Sequence, residues 1–130
     1  MMSETIHALI IDDNQIDQKV LAQLLTMEGA DLIQIFDPVD LVAKLQLLDE
    51  MDIVFVDLEM PHYNGYQVLE LLTQKYGTSV PIVACTVHTS EVSMARSQGF
   101  HSFIGKPLNS ARFSSQVQRI LRGESIWDFK

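Results

Sequence analysis

The sequence holds a single cysteine, Cys85, among 130 residues. No internal disulfide can form, and the chain reads as a protein of a reducing compartment. It also lacks any run of Lys or Arg. Nine basic residues stand against seventeen acidic ones, for a net charge of −8, so the positive footprint that nucleic-acid phosphates require is missing and direct DNA or RNA binding is not expected. No apolar stretch approaches the ~20 residues of a membrane helix. The first residues carry no positive n-region, and the apolar run after them is broken by Asp12 and Asp13. Neither a membrane span nor a signal peptide is expected, which leaves the cytoplasm as the default location. Glycine and proline are not in excess, and a chain of 47% hydrophobic and 20% charged residues has room for one domain with one core. We place that domain at residues 1–123 and read 124–130 as a short tail.

What is present is a recurrence of short apolar runs: Ala8 to Ile11, Leu32 to Phe36, Ile53 to Val56, Ile82 to Cys85 and Phe100 to Ile104. Helix-period stretches separate them, the pattern of β-α units and hence of a parallel sheet covered on both faces. Ile16, Val20, Leu21, Leu24 and Leu25 predict one face of a first helix, closed by Gly29. Asp37 is a candidate cap for a second helix that starts with Pro38 and carries Val42, Leu45 and Leu48. Val68, Leu69 and Leu72 mark a third, ending near Gly77. A fourth, about Ser90 to Gln98, has only Val92, Met94 and Ala95 and should be the least firmly docked. Asn109 predicts the cap of a fifth, with Phe113, Val117, Ile120 and Leu121 facing inward and Gly123 as its stop. In the tail, Ile126, Trp127 and Phe129 are expected to add cover to the core or to dock a partner.

Right-handed β-α units bring all the strands' carboxyl ends to one edge of the sheet, where open α/β folds hold their ligands. Those ends carry Asp12 and Asp13, then Asp57, then Thr86, then Lys106 followed by Pro107. Two carboxylates 4 Å apart repel by ~4 kcal/mol at an effective dielectric near 20. Three together call for protonation, a lysine or a metal, and Mg²⁺ is a hard cation that prefers carboxylates, keeps several waters and readily shares oxygens with a phosphoryl group. Asp57 ends a nearly all-apolar strand, where an unpaired charge is costly. Each residue alone has a plain structural reading: Asp12 as a turn or cap residue, Lys106 as a surface lysine, Thr86 as a strand residue, Phe103 as core, Asn64-Gly65 as a turn with positive φ. Their joint placement favours a site. Cys85 reads as inert packing, and His7, His62, His88 and His101 are too scattered for a zinc centre.

The segments Leu9-Ile10-Ile11-Asp12-Asp13-Asn14, Asp52 to Pro61 around Asp57, Asn64-Gly65-Tyr66 and Gly105-Lys106-Pro107 together resemble the receiver family of two-component response regulators, over about Ile6 to Leu121. The resemblance implies a flavodoxin-like α/β fold: five parallel strands in the order 2-1-3-4-5, doubly wound with five helices. It implies that Asp57 is the phosphoacceptor for a sensor histidine kinase, a phosphotransfer protein or a small acyl phosphate. Asp13 would bind Mg²⁺ directly, Asp12 chiefly through water, and Glu59 through its main-chain carbonyl, while Lys106, set by a cis bond to Pro107, would pair with a phosphoryl oxygen. Thr86 and Phe103 would form a switch pair that repacks the face of the fourth helix, fifth strand and fifth helix. That face would serve a downstream protein target or a homodimer.

Val87 stands where the family commonly has Ala or Gly, and Phe103 where Tyr is frequent. Glu59 and His88 are spaced to meet across the opening and to govern the lifetime of the phosphorylated form. The only chemistry expected is the chain's own phosphorylation and slow dephosphorylation, so its output is binding, either as a separate module or as an excerpt of a larger regulator or hybrid kinase. A pseudo-receiver scaffold is the alternative, and the intact set Asp12, Asp13, Asp57, Thr86 and Lys106 speaks against it. A flavodoxin-like carrier would want a Ser/Thr/Gly-rich first loop rather than Asp12-Asp13-Asn14, and an independent Mg²⁺ phosphatase would want an acid-x-acid spacing there.

Overall fold

The alternation of apolar runs and helix-period segments folds as expected into a parallel sheet with helices on both faces. A computed structural model of the chain describes residues 6–36, 41, 43–48, 50–60 and 64–128. The strands are β1 (Ile6–Ile11), β2 (Ala30–Phe36), β3 (Ile53–Asp57), β4 (Ile82–Thr86), β5 (Ser102–Gly105) and β6 (Trp127–Asp128). The α-helices among the described residues are α1 (Gln15–Met27), α2 (Gly65–Tyr76), α3 (Val92–Gln98) and α4 (Ser110–Leu121). The sheet order is β2-β1-β3-β4-β5-β6, with every pair parallel. The expected order 2-1-3-4-5 is therefore present, lengthened by a sixth strand. The second predicted helix appears as helical residues 41, 43 and 44 leading into a 3-10 turn at Leu45–Leu47. Its proposed cap Asp37, with Pro38 and Val42, lies outside the described residues.

Because strand side chains alternate, the sheet divides the core into two layers. Leu9, Ile11, Val54, Val56 and Ala84 pack on one side with Val68, Leu72, Ala95 and Phe103. Ala8, Ile10, Phe55, Val83 and Cys85 pack on the other with Leu21, Leu25, Phe113 and Val117. β3 and β4 are buried at every position. This is why the sequence writes them as unbroken apolar runs rather than alternations.

Two local readings are corrected. Of the predicted inner face of the first helix, Leu21 and Leu25 are buried, but Ile16 and Val20 are 73% and 43% exposed. At 100° per residue they fall on a second stripe with Met27, turned away from the sheet. Asn64-Gly65 is not a turn with positive φ. Asn64 is the extended N-cap of α2, in a reciprocal capping box with Gln67. Gly65 is required instead by a close approach, since a Cβ there would lie 2.9 Å from the Leu58 Cα and 3.1 Å from the Asp57 carbonyl oxygen.

Candidate functional site at the carboxyl ends of the strands

Each acid reaches the site because a strand ends beneath it. β1 stops at Ile11, so Asp12 and Asp13 sit in the turn before Asn14, which caps α1 by accepting the Asp17 amide hydrogen. Asp57 is the last residue of β3, paired in register with Cys85 of β4. Oxygens of Asp12, Asp13 and Asp57 all lie within 4.8 Å of one another, two of the three residues being buried. The Asp12 carboxylate accepts the Asn14 amide at 2.9 Å, and Gln18 donates to the Asp12 carbonyl. These bonds fix the loop against the first turn of α1.

Lys106 follows β5 and precedes a cis peptide bond to Pro107. Its Nζ lies 3.3 Å from Asp12, 3.7 Å from Asp57 and, nearest of all, 2.9 Å from Asp17. Burial pushes the Asp57 carboxyl up to about 6; the Glu59 amide, which donates to it at 3.0 Å, and the Lys106 charge pull the other way, and Asp12 adds to the rise. For Lys106, burial alone would lower the pKa. The hydrogen bond to Asp17 and the charges of Asp12 and Asp57 outweigh it, and the ammonium is held above its ordinary range. Burial pushes the Cys85 thiol up to about 12, which leaves it a packing residue.

Asp17 escaped the sequence reading. The signal was available: it lies four residues after Asp13, in the first turn of a helix rising directly from the strand ends, and so can reach back over them.

Thr86 ends β4, is buried, and accepts the His88 amide on its hydroxyl at 3.0 Å. Phe103 is fully buried on β5 beside Ala84. Alternation along β4 puts Thr86 and Ala84 on the same side, so Thr86 and Phe103 are diagonal neighbours on one face of the sheet. Glu59 and His88 meet at 2.8 Å, each about half exposed, with the exposed Val87 beside them. The opening between this rim and Lys106 is a depression of about 200 Å³ lined by Asp13, Asn14, Asp57, Glu59 and Thr86. Asp57 borders both this depression and the space described next. Behind Lys106, a second space of about 160 Å³ is mostly apolar, walled by Leu21, Phe55, Cys85 and Leu108.

Residues 8–118 match the family described as the response regulator receiver domain. The transcriptional regulatory protein CpxR of Escherichia coli is 31% identical over 122 residues, 92% of this chain and 50% of that protein. The stress response regulator protein 1 of Lodderomyces elongisporus is 34% identical over 106 residues, 78% of this chain and 29% of that one. Among solved structures, the chemotaxis response regulator CheY4 of Vibrio cholerae superposes with a TM-score of 0.77 at 20% identity, covering 90% of this chain and 99% of the other. That last likeness is one of fold. The chain belongs to the response regulator receiver domain family of two-component systems. It spans about half the length of CpxR and less of the yeast relative. Among the described residues, no helix is long and apolar enough to cross a membrane.

Proposed function

We propose that this receiver domain takes a phosphoryl group onto Asp57 and passes the change to a downstream protein. The observation that carries this reading is the gathering of three carboxylates and one lysine at one end of the sheet, open to solvent on one side. An Asp57 oxygen attacks the phosphorus of a phosphohistidine on a sensor kinase or phosphotransfer protein, or of a small acyl phosphate. The P–N or P–O bond to the donor breaks, the donor keeps the electron pair, and an acyl phosphate forms on Asp57.

The donor set fits Mg²⁺, because it offers only hard oxygens and crowds three carboxylates closely enough that Lys106 alone does not offset the burial of Asp57. Asp12, Asp13, Asp57 and the Glu59 carbonyl would hold the ion. Bound there, Mg²⁺ supplies charge neutralisation between the acids and the anionic donor.

Lys106 exchanges a carboxylate partner for a phosphoryl oxygen. The Thr86 hydroxyl, which keeps its own proton to donate, turns toward the same group. The Phe103 ring then shifts into the space that Thr86 leaves, and β5 with its flanking helices α3 and α4 repacks. α3 suits such motion, since only Ala95 of its seven residues is buried. The exposed Ile16 and Val20, in the half of α1 nearer the site, give the phosphodonor an apolar surface to rest on.

The test is incubation with acetyl phosphate and Mg²⁺ followed by intact mass. A gain of one phosphoryl group in the wild type and none in Asp57→Asn supports the reading. No gain in either, with the protein folded, favours a scaffold that binds without phosphorylation.

A further inference from the structure

The edge of β5 would be an open template for pairing if the sheet ended there. Instead, the chain leaves α4, turns at Gly123 and lays Trp127–Asp128 along it in parallel, Phe103 opposite Trp127 and Ile104 opposite Asp128. The contacts alternate between backbone and side chain. The Phe103 amide donates to the Ile126 carbonyl at 2.7 Å, and the Ile126 amide donates to the Ser102 hydroxyl at 2.9 Å. Ile126 is buried against the layer that holds Phe113 and Val117. Arg96 of α3 lies 5.1 Å from the centre of the Trp127 ring. From α4, Arg112 and Gln116 both reach the Asp128 carboxylate.

Two arginines, on the two helices that flank one strand, thus grip an aromatic and an acid. In a protein of net charge −8, these two cations flank one strand edge. The ladder itself is only two residues long, and Trp127 and Asp128 remain partly exposed. Recognition is therefore built mainly into side chains around a replaceable piece of backbone.

We propose that the β5 edge, between Arg96 and Arg112, is a strand-acceptor site for an extended segment of a protein partner bearing an aliphatic, an aromatic and an acidic residue in succession. Ile126–Asp128 of this chain occupies it as an intramolecular competitor. Backbone groups of the added segment pair with the Phe103 amide and the Ser102 hydroxyl, and the two arginines supply selectivity, the division of labour seen wherever an added strand is recognised. A tethered segment is present at a high effective concentration, so a partner must outcompete it or act when it is displaced. The acceptor edge lies on the β5 face that the proposed function treats as the output surface, but peptide binding is tested without phosphorylation, so its failure would leave phosphoryl transfer onto Asp57 standing.

The probe is a fluorescein-labelled peptide with the sequence of residues Glu124–Lys130, added to the full chain without acetyl phosphate. A Trp127→Ala/Asp128→Ala variant, whose own segment is weakened while the acceptor side is intact, should bind it about tenfold or more tightly than wild type. Adding Arg112→Ala to that variant should abolish the gain, and a scrambled peptide should bind none of the three. In the wild type, an unlabelled peptide with Phe in place of its Trp should displace the chain's segment at saturation and shift the emission of Trp127, the sole tryptophan, to longer wavelength. Equal affinity for wild type and variant, indifference to Arg112→Ala, or an unmoved Trp127 spectrum under saturating peptide would overturn the proposal and leave Ile126–Asp128 as plain edge cover.

Discussion

Two ion groups frame Asp57, and they differ in kind. On the β1 and β5 side, Lys106 is only 12% exposed and is shared among Asp12, Asp17 and Asp57. On the opposite rim, Glu59 and His88 form one pair, each side chain half in water. Burial decides their weight. Charges removed from water are costly to separate, and breaking such a group costs several kcal/mol, whereas exposed pairs contribute little and are screened by salt. The buried side should therefore set whether the chemistry happens, and the rim only how fast its product is lost.

The largest effect is expected at Lys106. Lys106→Ala leaves three carboxylates facing one another, so without divalent cations the urea midpoint should fall by the equivalent of ~3–5 kcal/mol. Phosphoryl uptake from acetyl phosphate should drop by about a hundredfold or more, the usual cost of losing a donor aimed at developing charge. A variant within threefold of wild type in uptake would mean that the lysine is only structural.

Asp17 sharpens the comparison, because it holds Lys106 more closely than Asp57 does. Asp17→Asn should release the ammonium toward the incoming phosphoryl group and raise the uptake rate several-fold, with a modest loss of melting temperature. A slower uptake would show that Asp17 positions Lys106 productively rather than competing for it.

At the rim, Glu59→Asn and Val87→Ala should leave stability within ~1 kcal/mol of wild type. Both should alter the hydrolysis rate of the phosphorylated form by a few-fold, read by loss of the added mass with time. Unchanged rates in both would remove the rim from control of the attacking water.

The smallest effect concerns His101, whose ring Nδ1 lies 2.9 Å from the Ser102 hydroxyl, the group that also accepts the Ile126 amide. Burial lowers the His101 pKa below its ordinary 6.5. Below pH 6.5 the unfolded chain therefore takes up a proton that the folded chain does not, and stability falls as the pH drops through that value. The loss is small because the ring is partly exposed. Chemical denaturation at pH 7.5 and 5.5 should show a smaller pH-dependent loss in His101→Asn than in the wild type, and an equal loss would place the titration elsewhere.

The sequence was informative where physics is local and repetitive. β3 and β4, buried on both faces, could only be written as apolar runs, and the acids stood out because Asp57 ends one of them. Caps such as Asn109 and stops such as Gly29 follow from backbone chemistry at helix ends, and they are where expected. What was hidden depended on distance in the chain. Asp17 looks like an ordinary helix residue until Lys106, 89 positions away, is folded against it. The strand at Trp127–Asp128 is too short to show a period, and its partners Ser102, Arg112 and Gln116 are ordinary polar residues until they meet it. Ile16 and Val20 fit an apolar stripe by spacing alone, but the sheet selects Leu21 and Leu25. Trp127, remote from Asp57 in sequence, proves to be paired with the strand that carries Phe103, so its emission is in a position to follow changes along β5.

The claim on which the rest depends is that, of three crowded carboxylates, the one ending β3 is the nucleophile. Borohydride reduction of the chain after acetyl phosphate and Mg²⁺ treatment, followed by peptide mass spectrometry, marks the phosphorylated aspartate by its conversion to homoserine. The account predicts the mark at Asp57 and at neither Asp12 nor Asp13; a mark at either of those two, with Asp57 unreduced, would contradict it.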